Sequence, residues 1–133
     1  MSRRMILVIP VLLLGIACGG AGAGGTARID AAVREFEFSP KSWSVPAGAE
    51  VTLSLTNEGT MAHTFALIKS AQAPTSSDEL NQATLLHETG VASGEAVEAV
   101  FTAPEQPGTY QVVCRVPGHL DAGMTATLTV SES

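Results

Sequence analysis

Short segments of alternating apolar and polar residues, each closed by turn-forming residues, run through most of this 133-residue chain. The run Val51 to Thr56 alternates strictly and ends at the turn-forming Asn57-Glu58-Gly59, and Met124 to Val130 repeats the pattern near the C-terminus. Strict alternation predicts strands with one buried face. Strands spaced about ten residues apart with turn signals between them are typical of a β-sandwich. We therefore expect an all-β fold.

The middle of the chain interrupts this pattern. Between Ala71 and Gly90 the alternation is lost, and Ser76-Ser77-Asp78-Glu79 resembles a capping box, which predicts a short helix in the middle loop. A chain of this length has room for a single core. Beyond the two runs above, strands are predicted at Ala32 to Phe38, Trp43 to Val45, His63 to Ile68, Glu95 to Thr102 and Gly108 to Cys114.

The N-terminus has the features of an export signal. Positive charge at Arg3 and Arg4 precedes an apolar stretch too short to span a bilayer comfortably, so residues 1–17 are predicted to be a signal peptide. Gly15-Ile16-Ala17-Cys18 resembles a bacterial lipoprotein processing site, and we expect Cys18 to carry lipid. A plain cleaved leader, an uncleaved anchor and a disulfide from Cys18 to Cys114 are the alternatives.

Domain boundaries and charge follow from this interpretation. Residues 18–27 are glycine-rich and are predicted to be a flexible tether to the membrane, with the folded domain at 28–133.

The formal net charge of the whole chain is −6. Without the leader, five Lys or Arg face thirteen Asp or Glu, a balance of −8. Phosphate backbones would be repelled, so we expect no nucleic-acid partner.

The residues with the clearest chemical signal follow the strand that ends at Cys114. Cys114, His119 and Met124 place a thiol, an imidazole and a thioether at five-residue spacing, and His63 supplies a second imidazole from another strand. Each residue alone is more often packed in a core, but the spacing and strand context make the set specific. A thiolate, two imidazoles and a weak thioether suit copper cycling between Cu(I) and Cu(II). The sequence predicts one copper ion per chain.

With this set of residues in this order, the chain resembles the cupredoxins, single-domain blue copper proteins of the plastocyanin, auracyanin and sulfocyanin type. The resemblance covers Phe36 to Val130 and implies a Greek-key β-sandwich or barrel with copper at one end. The motifs that carry it are Phe38-Ser39-Pro40, Val45-Pro46-Ala47-Gly48, Asn57-Glu58-Gly59 before His63, and Pro107 to Cys114 running into Pro117-Gly118-His119 and Gly123-Met124.

The resemblance implies a one-electron carrier outside the cytoplasm, membrane-tethered and monomeric, whose redox partners are a cytochrome or an oxidase. A copper-handling protein that delivers or buffers Cu(I) is the alternative. We expect no enzymatic activity, because three histidines cannot supply the additional clusters of multicopper oxidases or nitrite reductases. The binuclear copper centre of oxidase subunits is excluded as well, because it needs two cysteines in one loop.

Three further expectations concern the surroundings of the copper. Many cupredoxins have Asn after the first histidine, whereas this chain has Thr64, which favours a higher reduction potential. His87 is predicted to lie in a loop or helix and to have no metal role. Electrons are expected to leave through a flat surface beside His119, formed by Gly59, Met61, Ala62, Pro117, Gly118, Leu120 and Ala122.

Overall fold

The computed structural model describes residues 24–133, in which nine strands and one helix are found. The predicted signal peptide and Cys18 lie outside the described residues. The elements in chain order are β1 Thr26–Arg34, β2 Glu37–Ser39, β3 Ser42–Pro46, β4 Glu50–Asn57, β5 His63–Ile68, α1 Ser77–Gln82, β6 Leu85–Val91, β7 Ala96–Thr102, β8 Gly108–Val113 and β9 Thr125–Ser131.

Two sheets pack face to face and confirm the predicted β-sandwich. One sheet has the strand order β2-β1-β4-β7, and the other has the order β3-β9-β8-β5-β6. Neighbours that are distant in sequence run parallel in two places, β1 with β4 and β3 with β9, so the chain crosses between the sheets. The first pairing joins two strands of the N-terminal third of the domain, and the second joins β3 to the last strand.

The alternation in the sequence matches the buried face of each sheet. In β4, Val51, Leu53 and Leu55 are fully buried, and in β9 Ala126 and Leu128 are buried in the same way. The intervening threonines and serines point away from the core and are partly or fully exposed. Burial of these apolar side chains between the sheets provides the main favourable term in folding. Among the described residues, no helix is long and apolar enough to cross a membrane.

The predicted strand Ala32 to Phe38 is wrong in its continuity. The chain is extended from Thr26 to Arg34, reverses at Glu35-Phe36, and returns as β2, so that Arg34 pairs with Glu37 in an antiparallel hairpin. Phe38 is buried in the core whereas Phe36 is 41% exposed. Thr26 also lies within the segment predicted to be tether, and it pairs with Glu50 of β4.

The region after the predicted helix also differs from expectation. The helix is present, and the Ser76 hydroxyl accepts a hydrogen bond from the Glu79 N–H at 3.2 Å, as a capping residue does. The residues that follow form strand β6 at the edge of the second sheet. His87 therefore lies on a strand, where its ring stacks on Phe101 with centroids 4.5 Å apart and its Nε2 is 2.7 Å from the Thr89 hydroxyl.

Candidate metal centre

Two of the four predicted ligands are placed by neighbouring strands of the second sheet, and a third lies in the loop that follows one of them. His63 is the first residue of β5, and Cys114 directly follows β8. The two strands pair in antiparallel register, with Ala66 opposite Val113, so the start of one and the end of the other lie at the same end of the sandwich. His119 reaches this end from the loop that connects β8 to β9.

The loop between β8 and β9 is closed by its own backbone. The N–H of Cys114 donates to the carbonyl of Met124 at 3.2 Å, and the N–H of Met124 donates to the carbonyl of His119 at 3.1 Å. Gly118 and Gly123 adopt φ angles of 84° and 87°, a left-handed conformation that favours glycine. The sequence Cys-x4-His-x4-Met thus folds into a compact loop that brings the backbone of Cys114, His119 and Met124 together.

The donor atoms of the three residues converge. Cys114 Sγ lies 3.3 Å from His119 Nδ1 and 3.9 Å from His63 Nδ1, and the three donor atoms all lie within 4.8 Å of one another. Met124 is fully buried in the same core cluster as Cys114. Within residues 24–133, this is the one group of three or more histidine, cysteine or acidic side chains with the proximity needed to hold a metal.

Both histidines of the site are buried, and burial affects how readily they take up a proton. His63 and His119 are 1% and 2% exposed, and among the described residues neither Nε2 atom has a hydrogen-bond partner. Burial lowers the pKa of His63, and nearby His119 lowers it further, whereas Glu35 raises it. The net shift is downward, so the neutral imidazole, which is the form that binds metals, is favoured at neutral pH.

Thr64 connects the two parts of the chain that carry the predicted ligands. Its backbone N–H donates to Cys114 Sγ at 3.4 Å, and its hydroxyl accepts the N–H of Arg115 at 2.8 Å. The hydroxyl also lies 3.9 Å from Cys114 Sγ. Threonine therefore bridges the start of β5 and the loop after β8, although it has a shorter side chain than the asparagine found in many cupredoxins. Hydrogen bonds to a ligating sulfur tune the metal that it binds.

The turn before His63 is held from the inside by Asn57, which is buried. Its side-chain amide donates to the carbonyls of Met61 at 2.7 Å and Val91 at 3.3 Å, and its Oδ1 accepts the N–H of Gly59 at 2.8 Å. These three bonds fix the backbone that leads into β5. In the sequence Asn57 belongs to a turn motif, and the structure adds that its side chain organises the turn.

The surface beside His119 differs from the expected patch. Leu120 is buried in a small cluster with Ile68 and Leu80, so it does not contribute to that surface. Met61 is 43% exposed, as expected. Phe36, which the sequence analysis did not assign to the site, packs edge-on against His119 with ring centroids 5.1 Å apart and planes at 82°. The His119 ring is thus covered by an exposed phenyl group.

The types of donor atom in the site can be compared with the ligands that copper prefers. One sulfur and two imidazole nitrogens meet in a buried site, with a methionine thioether buried in the same core cluster. Thiolate and thioether are soft ligands that select copper over magnesium or calcium, and a His₂Cys set with a weak methionine is typical of blue copper sites. The residues at this end of the sandwich fit copper.

Comparisons with known proteins agree with this assignment. Residues 26–131 match the family described as copper binding proteins, plastocyanin/azurin family. The chain is 28% identical to auracyanin-A from Chloroflexus aurantiacus, with 88% of this chain and 90% of the relative covered. It is also 29% identical to auracyanin-B from the same organism, over 80% of this chain and 52% of that longer relative.

Solved structures show the same relationship. Dithionite-reduced auracyanin from Roseiflexus castenholzii superposes with a TM-score of 0.69 at 26% identity, covering 81% of this chain and 99% of that one. Auracyanin A from Chloroflexus aurantiacus, described as a "blue" copper protein, has a TM-score of 0.65 at 26% identity, covering 81% of this chain and all of the other. This chain therefore belongs to the plastocyanin/azurin family of copper-binding proteins, the cupredoxins, and copper is its cofactor.

Proposed function

We propose that this protein is a one-electron carrier in which His63, Cys114, His119 and Met124 hold the copper. The observation that carries the proposal is the convergence of Cys114 Sγ with the Nδ1 atoms of two histidines in a buried site. Copper bound there would supply a Cu(I)/Cu(II) couple, which transfers single electrons. No second cluster of metal-binding side chains is found in residues 24–133 that would add a catalytic centre.

The contribution of the protein is rigidity. His63 and Cys114 are fixed by paired strands, and the loop carrying His119 is closed by backbone hydrogen bonds. Residues held in this way keep their geometry when the charge at the site changes by one. A small change in ligand geometry between the two oxidation states favours fast electron transfer. Such a rigid site suits an electron carrier better than a protein that must release its metal.

The surface around His119 supports a docking role with protein partners. Phe36 and Met61 are exposed large hydrophobic residues on that side of the molecule, and Phe36 contacts the imidazole directly. The ring of Phe36 would then lie between a docked redox partner and His119. We propose a cytochrome or an oxidase as partner, met by the protein as a monomer.

The proposed location is outside the cytoplasm, on the membrane surface. The support is the leader-like sequence at residues 1–17 and the cysteine that follows it. The mature protein is expected to lack residues 1–17, to carry lipid on Cys18 and to sediment with membranes, whereas Cys18→Ser should leave a soluble or unprocessed chain. Intact mass and membrane fractionation measure both properties, and a mature wild-type chain without lipid contradicts the proposed anchor.

An absorption spectrum combined with a redox titration tests the carrier function. Oxidised, copper-loaded protein should have a strong thiolate-to-copper band at about 600 nm. The band should disappear on one-electron reduction and return fully on oxidation, with copper retained in the presence of a chelator. A copper-handling protein would instead lose Cu(I) to the chelator, and a colourless protein that prefers zinc would contradict both functions.

A further inference from the structure

The turn between β1 and β2 contacts both histidines of the metal centre. The carboxylate Oε1 of Glu35 lies 3.8 Å from Nε2 of His63, and the ring of Phe36 packs on the ring of His119. Neither contact was expected from the sequence, because a continuous strand was predicted where this turn lies. Two consecutive residues of one hairpin therefore form part of the outer wall of the site.

Glu35 has a well-defined structural role at this position. Its Oε1 accepts hydrogen bonds from the backbone N–H groups of Thr60 at 2.6 Å and Met61 at 2.8 Å, and the Thr60 hydroxyl lies at 3.3 Å from the same oxygen. These bonds hold from the outside the turn that Asn57 holds from the inside. The Glu35 side chain is 29% exposed, so the carboxylate is directed toward the protein and is partly shielded from solvent.

The same carboxylate faces a buried polar atom that has no other partner. Nε2 of His63 makes no hydrogen bond within the described residues, and its ring directs Nδ1 toward Cys114. When Nδ1 binds a metal, the ring proton resides on Nε2, which is the atom facing Glu35. The distance of 3.8 Å exceeds that of a hydrogen bond, so the interaction is one of charge with a polar N–H.

A carboxylate beside the remote N–H of a metal-bound imidazole changes the orientation of the ring and its strength as an electron donor. A negative group near the remote N–H fixes the ring orientation and makes the imidazole a stronger electron donor. It also stabilises the more positive oxidation state of an ion at the site through its charge. Hydrogen bonds from its own backbone N–H and from those of Met61 and Thr60 lower the pKa of Glu35, so it remains ionised at neutral pH.

We propose that Glu35 is a positioning residue for His63 whose negative charge stabilises Cu(II) relative to Cu(I) and so lowers the reduction potential of the protein. The inference rests on the proposed function, because it assumes that His63 holds the copper. It adds a residue outside the predicted ligand set that controls the driving force for electron transfer.

The variant Glu35→Gln separates the charge from the structural role. Both backbone N–H groups donate to a single oxygen, which the glutamine carbonyl can replace, so the turn is retained while the charge is lost. We expect Glu35→Gln to weaken Cu(II) binding roughly three- to tenfold, with little change for Cu(I). The potential should rise accordingly, by up to about 59 mV for a tenfold change.

Two further variants serve as controls. Glu37→Gln removes the same charge from the same hairpin, where Glu37 is exposed and lies 3.8 Å from Lys41, and should leave the potential unchanged. Glu35→Ala removes both charge and acceptor, so it should raise the potential as Glu35→Gln does and, in addition, lower the denaturant midpoint of the copper-free protein.

The pattern across the variants decides the proposal. Potentials are measured by redox titration, and affinities for each oxidation state by competition with chelators of known strength. A rise in potential in both Glu35 variants but not in Glu37→Gln supports the proposal. A rise confined to Glu35→Ala would show a purely structural role and overturn it. If the wild type itself shows no reversible copper couple, the proposed function fails before Glu35 is tested.

Discussion

Replacing Cys114 by serine should abolish the visible absorption of the copper-loaded protein and weaken copper binding by more than about 100-fold. Mutation of residues outside the ligand set of a metal site already costs 10- to 100-fold in affinity, and here the thiolate itself is lost. Serine offers a hard oxygen that stays protonated at neutral pH, so no thiolate-to-copper transition exists. Absorption spectroscopy and chelator competition measure the two effects.

The fold should survive this substitution. Cys114 Sγ accepts the N–H of Thr64, and a serine oxygen can accept the same bond. The copper-free variant should therefore still fold, with a free energy of unfolding lower than that of the copper-free wild type by at most about 3 kcal/mol, the cost of an uncompensated buried hydroxyl. Cys18→Ser is the matched control and should keep the full spectrum. A Cys114→Ser protein with an unchanged band would refute the proposed ligand set.

Replacing Asn57 by alanine should destabilise the copper-free protein by about 3 kcal/mol. The substitution leaves the carbonyls of Met61 and Val91 and the N–H of Gly59 without their side-chain partner. Each buried polar group left unpaired costs about 1–3 kcal/mol. Since the domain is small and cooperative, the loss should appear as a lower midpoint in denaturant unfolding with an unchanged slope.

Asn81→Ala provides the matched control for this experiment. Asn81 is exposed on the short helix, and its replacement should change the free energy of unfolding by no more than about 0.5 kcal/mol. Equal midpoints for the Asn57 and Asn81 variants would show that the buried amide contributes little and that the turn before His63 is held by other contacts.

The parts of the fold that were predicted from the sequence are those with one buried face. Strands β4 and β9 alternate strictly because one side packs on the opposite sheet and the other meets solvent. The convergence of Cys114 and His119 was predictable for a different reason. His119 follows Cys114 by five residues within the loop 114–124 that connects β8 and β9, and this loop must return to the end of the sheet where it began.

The parts that were missed lack a local signal. The hairpin at Glu35-Phe36 turns without glycine, proline, asparagine or aspartate, and Phe36 and Phe38 mimic one face of a continuous strand. Strand β6 lies at a sheet edge, where Leu85 and Leu86 are both exposed, so it shows no alternation. The contacts of Glu35 and Phe36 with the histidines depend on how the sheets pack, which no short segment of sequence records.

The metal centre is assembled from distant parts of the chain, since the residue numbers of His63 and Cys114 differ by 51. An unfolded chain does not hold these donors together, so the ion binds the native state in preference to the unfolded one. By linkage, free copper at 100 times its dissociation constant adds about 2.7 kcal/mol to global stability. Resistance to heat or denaturant therefore reports how much of a preparation is metallated.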